Sequence, residues 1–162
     1  MPQLSPLVHV GQVVHDARAT VADLQERYGL EESRPAMELT LENGWVAVQC
    51  QSVNARYHFL SLGNTELEVI EPLGEDSPYA RFLAEKGEGL HHLCFIVNSI
   101  DEHLAAMPGA ELVVDAEYRP GARMVYLDGT AHGVLMELVQ LPAGFDVSTA
   151  LKGSTTGPGK ES

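Results

Sequence analysis

Hydrophobic and polar positions along the chain fall into two similar series. In the first, Leu7–Val14 alternates as a strand, and Ala17–Tyr28 carries apolar residues at three- and four-residue spacing behind Asp16, a helix with its N-cap. "MELTLENGWVAVQC" reads as a hairpin turning at Asn43-Gly44, and "RYHFLSLGNTELEVIEP" as a second hairpin around Gly63-Asn64. In the second series, strand Leu90–Val97 leads to a helix over Ile100–Met107, stopped by Pro108-Gly109. Strands at Glu111–Ala116, Arg123–Leu127 and Val134–Leu141 complete it.

The two series are a repeat. "HVGQVVHDARATVADL" from His9 aligns with "HLCFIVNSIDEHLAAM" from His92, an offset of 83 residues. "ELEVIEP" from Glu66 aligns with "LMELVQLP" from Leu135, putting Glu68 and Glu137 in register. The expected fold is α+β: two βαβββ modules, residues 1–80 and 88–145, paired about a pseudo-two-fold axis around one cleft. Residues 146–162, rich in Gly, Ser and Thr, read as a disordered tail.

Corresponding residues then converge on that cleft. His9, Glu68, His92 and Glu137 form a set of two imidazoles and two carboxylates, suited to a divalent first-row ion such as Co, Ni, Mn or Zn. A lone strand histidine usually satisfies a backbone group, and a lone glutamate usually faces solvent; the paired repetition singles these four out. Of the adjacent histidines, His92 is in phase with His9, so strict alternation turns His92 to the cleft and His91 to the opposite face. Glu66 and Glu71 are expected at solvent or at a rim, and His15 and His103 at solvated helix edges.

Composition narrows the partners. Hydrophobic content of 44% with 20% charged residues suits a soluble domain, and no apolar run approaches the ~18–20 residues of a membrane span. The start lacks the features of a signal peptide, and Cys50 and Cys94 read as buried free thiols; both point to the cytoplasm. A net charge of −13 without a Lys/Arg cluster excludes nucleic acid.

"LGNTELEVIEPLGEDSPYARFLAEKGEGLHHLCFIVNSID" and "GVLMELVQLP" resemble the vicinal oxygen chelate superfamily (the glyoxalase, bleomycin resistance and dioxygenase proteins), and within it the methylmalonyl-CoA epimerase branch. The resemblance implies an epimerase or isomerase acting through a metal-stabilised enolate, with Glu137 as metal ligand and proton carrier, a small acyl-CoA substrate and a homodimer. In that branch a middle-strand glutamate of the first module serves the other face of the substrate carbon. Here the strand carries Tyr57 and His58 instead. Either one substitutes, with His58 favoured by the pKa of imidazole, or protons move on one face only. A glyoxalase I-like lyase, which the same ligand set satisfies, and a small-molecule-binding protein are the alternative readings.

Overall fold

The computed structural model describes residues 2–39, 46–47, 54–119, 121–129 and 131–145. The elements run β1 (His9–Val13), α1 (Ala17–Tyr28), β2 (Glu32–Leu39), β3 (Val46–Ala47), β4 (Ala55–Ser61) and β5 (Glu66–Pro72). Then come α2 (Pro78–Lys86), β6 (Gly89–Val97), α3 (Ile100–Ala106), β7 (Glu111–Arg119), β8 (Ala122–Asp128) and β9 (Leu135–Gln140). No helix among the described residues is long and apolar enough to cross a membrane.

Local chemistry sets the helix ends. Asp16 accepts from the Ala19 N–H, and Gly29 closes α1 at φ 66°, a left-handed conformation that glycine adopts without strain. The backbone N–H of Ala17, otherwise unpaired at the helix start, donates to Glu71. Helix α2 was not expected from periodicity. Its signals were nonetheless in the sequence: Ser77 accepts from Ala80 N–H, Pro78 occupies the first turn and Gly87 follows the last.

The described strands form one mixed sheet in the order β2-β4-β5-β1-β6-β9-β8-β7-β3. Its centre is the antiparallel β1–β6 pair. Each half places its last strand parallel to its first, β5 on β1 and β9 on β6. Reading outward from the centre, β1, β5, β4, β2 mirrors β6, β9, β8, β7, as expected of two βαβββ modules about a pseudo-two-fold.

The expected hairpin at Asn43-Gly44 lies outside the described residues. Of the described strands on either side of it, β2 pairs with β4, and β3 pairs with β7 at the far edge of the sheet. Eight flat inter-strand spacings would amount to ~38 Å, yet the chain from Leu39 to Val46 can reach only ~25 Å. The sheet must therefore curl. The core agrees: Tyr57 and Phe59 of β4 pack in one cluster with Val114 and Ala116 of β7 and with Met124 and Tyr126 of β8. The outer faces carry separate cores, Val14, Ala17, Val21, Leu60 and Val69 beside α1, and Val97, Ile100, Val125, Leu127 and Leu138 beside α3. Cys50 and the tail at 146–162 lie outside the described residues; Cys94 is buried and free.

Candidate metal centre

The sheet register brings the four singled-out residues together. Across the centre, one row runs His9, Cys94, Glu137, and the row two residues along β1 runs Glu68, Gly11, His92. The pseudo-two-fold exchanges these rows: His9 with His92, Glu137 with Glu68, and Cys94 with Gly11. All six therefore point to one side of the sheet.

Their side chains meet at close range. Nε2 of His9 lies 3.0 Å from Nε2 of His92. Oε2 of Glu137 lies 2.9 Å from His9 Nε2 and 3.2 Å from His92 Nε2, and Oε2 of Glu68 lies 3.3 Å from both. None of the four is more than 8% exposed, and His92 is fully buried. The buried Oε2 of Glu137 has these close neighbours but makes no hydrogen bond. An unpaired buried carboxylate oxygen is costly, and a shared cation would satisfy it. The donor set thus fits a divalent ion, with one donor atom each from His9, His92 and Glu137 within 4.8 Å of one another.

The electrostatics agree. Burial alone would raise the Glu137 carboxyl; the charge of His92 and the nearness of His9 reverse this and hold it well below the usual range. Glu68 is lowered in the same way, with His9 the larger influence. Burial pulls the two imidazoles down, but Cys94 and Glu68 around His9, and Glu137 and Glu68 around His92, raise both. Two carboxylates and two basic imidazoles form the electron-rich pocket that a cation replaces protons in.

Gly11 is the residue that periodicity did not flag. A Cβ there would overlap the imidazole of His92. At the symmetry-related place the chain has Cys94, opposite His9. Each site histidine therefore stands over a small residue of the neighbouring central strand, and under His92 only glycine fits.

The adjacent histidine departs from strict alternation. Gly11 pairs with His92 but Gln12 pairs with Leu90, so His91 is the extra residue of a β-bulge. The bulge breaks the parity on which the expectation rested, and His91 lies on the same side as His92, their Nδ1 atoms 3.0 Å apart. His91 also packs edge-on against Tyr79, Phe82 and Tyr126.

His58 does not join the cluster. The β4–β5 register is continuous, with Tyr57 opposite Ile70, His58 opposite Val69 and Phe59 opposite Glu68. Alternation then gives Tyr57 and Phe59 to the site face and His58 to the α1 face, where its Nδ1 lies 2.9 Å from Glu32. Tyr57 donates to the Tyr79 hydroxyl at 3.3 Å, and Tyr79 shares a 2.8 Å hydrogen bond with Tyr126. Burial, then Tyr79 and Glu68, push the Tyr57 phenol well above its ordinary value, so it stays protonated. Glu66 and Glu71 are half-buried rim residues: Glu66 accepts from Ser33 and Arg34, and Glu71 from Arg56. His15 is exposed as expected. His103 is buried instead, its ring nitrogen 2.9 Å from the Ser99 carbonyl oxygen.

The comparisons with known proteins agree with this fold. Residues 8–126 match the Glyoxalase/Bleomycin resistance protein/Dioxygenase superfamily. An ethylmalonyl-CoA/methylmalonyl-CoA epimerase from Cereibacter sphaeroides is 32% identical over 145 residues, 83% of this chain and 97% of that protein. The mitochondrial methylmalonyl-CoA epimerase of Bos taurus is 36% identical over 88 residues, 51% of this chain and 50% of that protein. Among solved structures, a Streptomyces coelicolor methylmalonyl-CoA epimerase in complex with 2-nitronate-propionyl-CoA aligns with a TM-score of 0.66. The two are 28% identical, and the alignment covers 87% of this chain and 100% of that one. The chain belongs to the glyoxalase/bleomycin resistance protein/dioxygenase superfamily, with methylmalonyl-CoA epimerases among its relatives.

Proposed function

We propose that the chain is a divalent-metal-dependent epimerase of the methylmalonyl-CoA epimerase type, acting on an acyl-CoA. The observation that carries the reading is the convergence of His9, Glu68, His92 and Glu137 on one buried point. These four residues would hold the ion, and their borderline nitrogen and oxygen donors suit Co, Ni, Mn or Zn. When bound, a divalent ion supplies Lewis acidity, which is worth several kcal/mol toward removing a proton α to a thioester carbonyl.

The chain's own residues do the rest. Glu137 takes the α-proton, because its carboxylate oxygen stands at the point that would hold the ion and so beside the carbonyl the ion would polarise. His9 and His92 flank that oxygen and keep the carboxylate ionised, the form that accepts a proton. The curled sheet and the tyrosines beside it exclude water, which strengthens these electrostatic effects. On the other wall Tyr57 is the polar site-facing residue of β4 beside Phe59, a neutral hydroxyl where the epimerase branch carries a carboxylate. A protonated phenol gives a proton to the opposite face of the carbon but is a weak base, so removal is assigned to Glu137; after product release Glu137 gives its proton to solvent and the Tyr57 phenolate takes one back.

The same donor set would serve a glyoxalase I-like lyase, and one experiment separates the two. The metal-loaded protein is incubated in deuterium oxide with a panel of small acyl-CoAs and, separately, with a glutathione hemithioacetal. The expected result is deuterium at the carbon α to the thioester of a branched malonyl-type acyl-CoA, with inversion at that carbon. Absence of α-exchange in every acyl-CoA would overturn the epimerase reading, and turnover of the hemithioacetal would put the lyase in its place.

A further inference from the structure

The paired histidines leave one imidazole without a role. The position equivalent to His91 in the first repeat is Val8, so His9 has no imidazole neighbour of this kind. We propose that His91 is a positioning residue: through a hydrogen bond between the two Nδ1 atoms it fixes the tautomer and ring orientation of His92 toward a divalent ion. This inference rests on His92 being a metal ligand.

The geometry argues it in three steps. The Nε2 edge of His92 faces His9, Glu68 and Glu137, so the lone pair offered to an ion is on Nε2 and the ring proton belongs on Nδ1. That Nδ1 lies 3.0 Å from Nδ1 of His91, which can accept the proton as a neutral imidazole. Ligating histidines usually donate their second N–H to a fixed acceptor, and here the acceptor is another ring.

The His91 ring is itself held. It is 2% exposed, and its centroid lies 5.3 Å from Tyr79, 5.0 Å from Phe82 and 5.3 Å from Tyr126. The β-bulge has a consequence here: without the extra residue, His91 would project from the opposite face and could not reach His92. The bulge and the imidazole thus work as one device, present in one module only. Two like residues become inequivalent, since His92 has a second imidazole at its Nδ1 whereas His9 stands opposite Cys94.

The test compares His91→Asn with His91→Leu. The asparagine Oδ1 can occupy the place of the Nδ1 acceptor; leucine fills the space without accepting. Co2+ affinity is measured by isothermal titration on each protein after chelation. The expected result is a loss of ~10–100-fold for His91→Leu, with His91→Asn within about threefold of wild type on the same scale. Equal affinity of His91→Leu and wild type, or an equal fall for both variants, would overturn the proposal. A second readout needs no variant: in the 15N-labelled wild-type protein, a scalar coupling across the hydrogen bond should link the Nδ1 nuclei of His91 and His92. A His92 ring proton on Nε2 with no such coupling would also overturn it. If wild-type protein takes up no Co2+ at all, the metal reading fails first. Wild-type binding that is unchanged in His91→Leu sinks only the positioning role.

Discussion

Gly11→Ala is the sharpest probe of the site, because it adds one methyl group at the foot of His92. That carbon would overlap Cε1, Nδ1 and Nε2 of His92, whereas ordinary van der Waals contact begins at 3.4 Å. The ring would have to withdraw by about 1 Å, and a misplacement of that size at a reacting centre costs ~100-fold. His92 is fully buried, with Tyr126 packed 4.9 Å from its centroid and His91 at its Nδ1, so no empty space accepts the displaced ring. Overpacking of this kind costs ~1–3 kcal/mol in stability, which is ~2–4 °C in melting temperature per kcal/mol for a chain of this size. Isothermal titration with Co2+ should therefore give an affinity ~10–100-fold below wild type, while the chelated protein melts ~2–12 °C lower. Gly89→Ala, on the partner strand with nothing within 4 Å, should leave both quantities unchanged. A Gly11→Ala protein that binds Co2+ as tightly as wild type would refute the placement of His92 over Gly11, and with it the register of the central strands.

The other expected outcomes follow from the same geometry. His58→Ala should change neither Co2+ affinity nor α-proton exchange, while Tyr57→Phe should slow inversion more than exchange; a reversed pattern in a two-readout kinetic assay would return His58 to the site. Glu137→Gln should abolish exchange in folded protein, as followed by mass spectrometry; retained exchange would assign the proton carrier elsewhere. Chelated protein should be most stable near pH 6.5 in thermal melts, and a melting temperature climbing steadily to pH 9 would contradict this. The raised imidazoles of His9 and His92 contribute fully below 6.5 and lose that contribution as pH rises through their folded values, whereas burial brings His91 down to about 3 and removes stability as pH falls from 6.5 toward that value. Glu68 and Glu137, held below the carboxylate range, add further loss only beneath their unfolded value of 4.5.

The fold was legible where periodicity is strong and local. Helix α1 falls on Ala17–Tyr28 as expected, and the β4–β5 hairpin turns at Gly63-Asn64. The repeat carried more than any single motif, because His9 with His92 and Glu68 with Glu137 can recur in phase only if both halves share one topology. What the chain hid was non-local. The pairing of Val46–Ala47 depends on a strand at the other end of the sheet, which no local turn signal encodes. The bulge at His91 is a property of the β1–β6 pairing, so alternation along β6 alone assigned the wrong face. Gly11 drew no notice because glycine in a strand has no chemistry of its own; its importance is the space it leaves for His92. Parity on β4 did hold. Once its ladder to β5 is seen to be unbroken, His58 falls on the α1 face.

The central claim is that four residues from two repeated modules hold one ion that the proton chemistry requires. The most direct measurement follows α-deuterium incorporation into a methylmalonyl-type acyl-CoA by protein first chelated and then titrated with Co2+. The account predicts no exchange in the chelated protein, and exchange that rises linearly and saturates at one ion per chain. Exchange that survives complete chelation, or that continues to rise well beyond one equivalent, would contradict it.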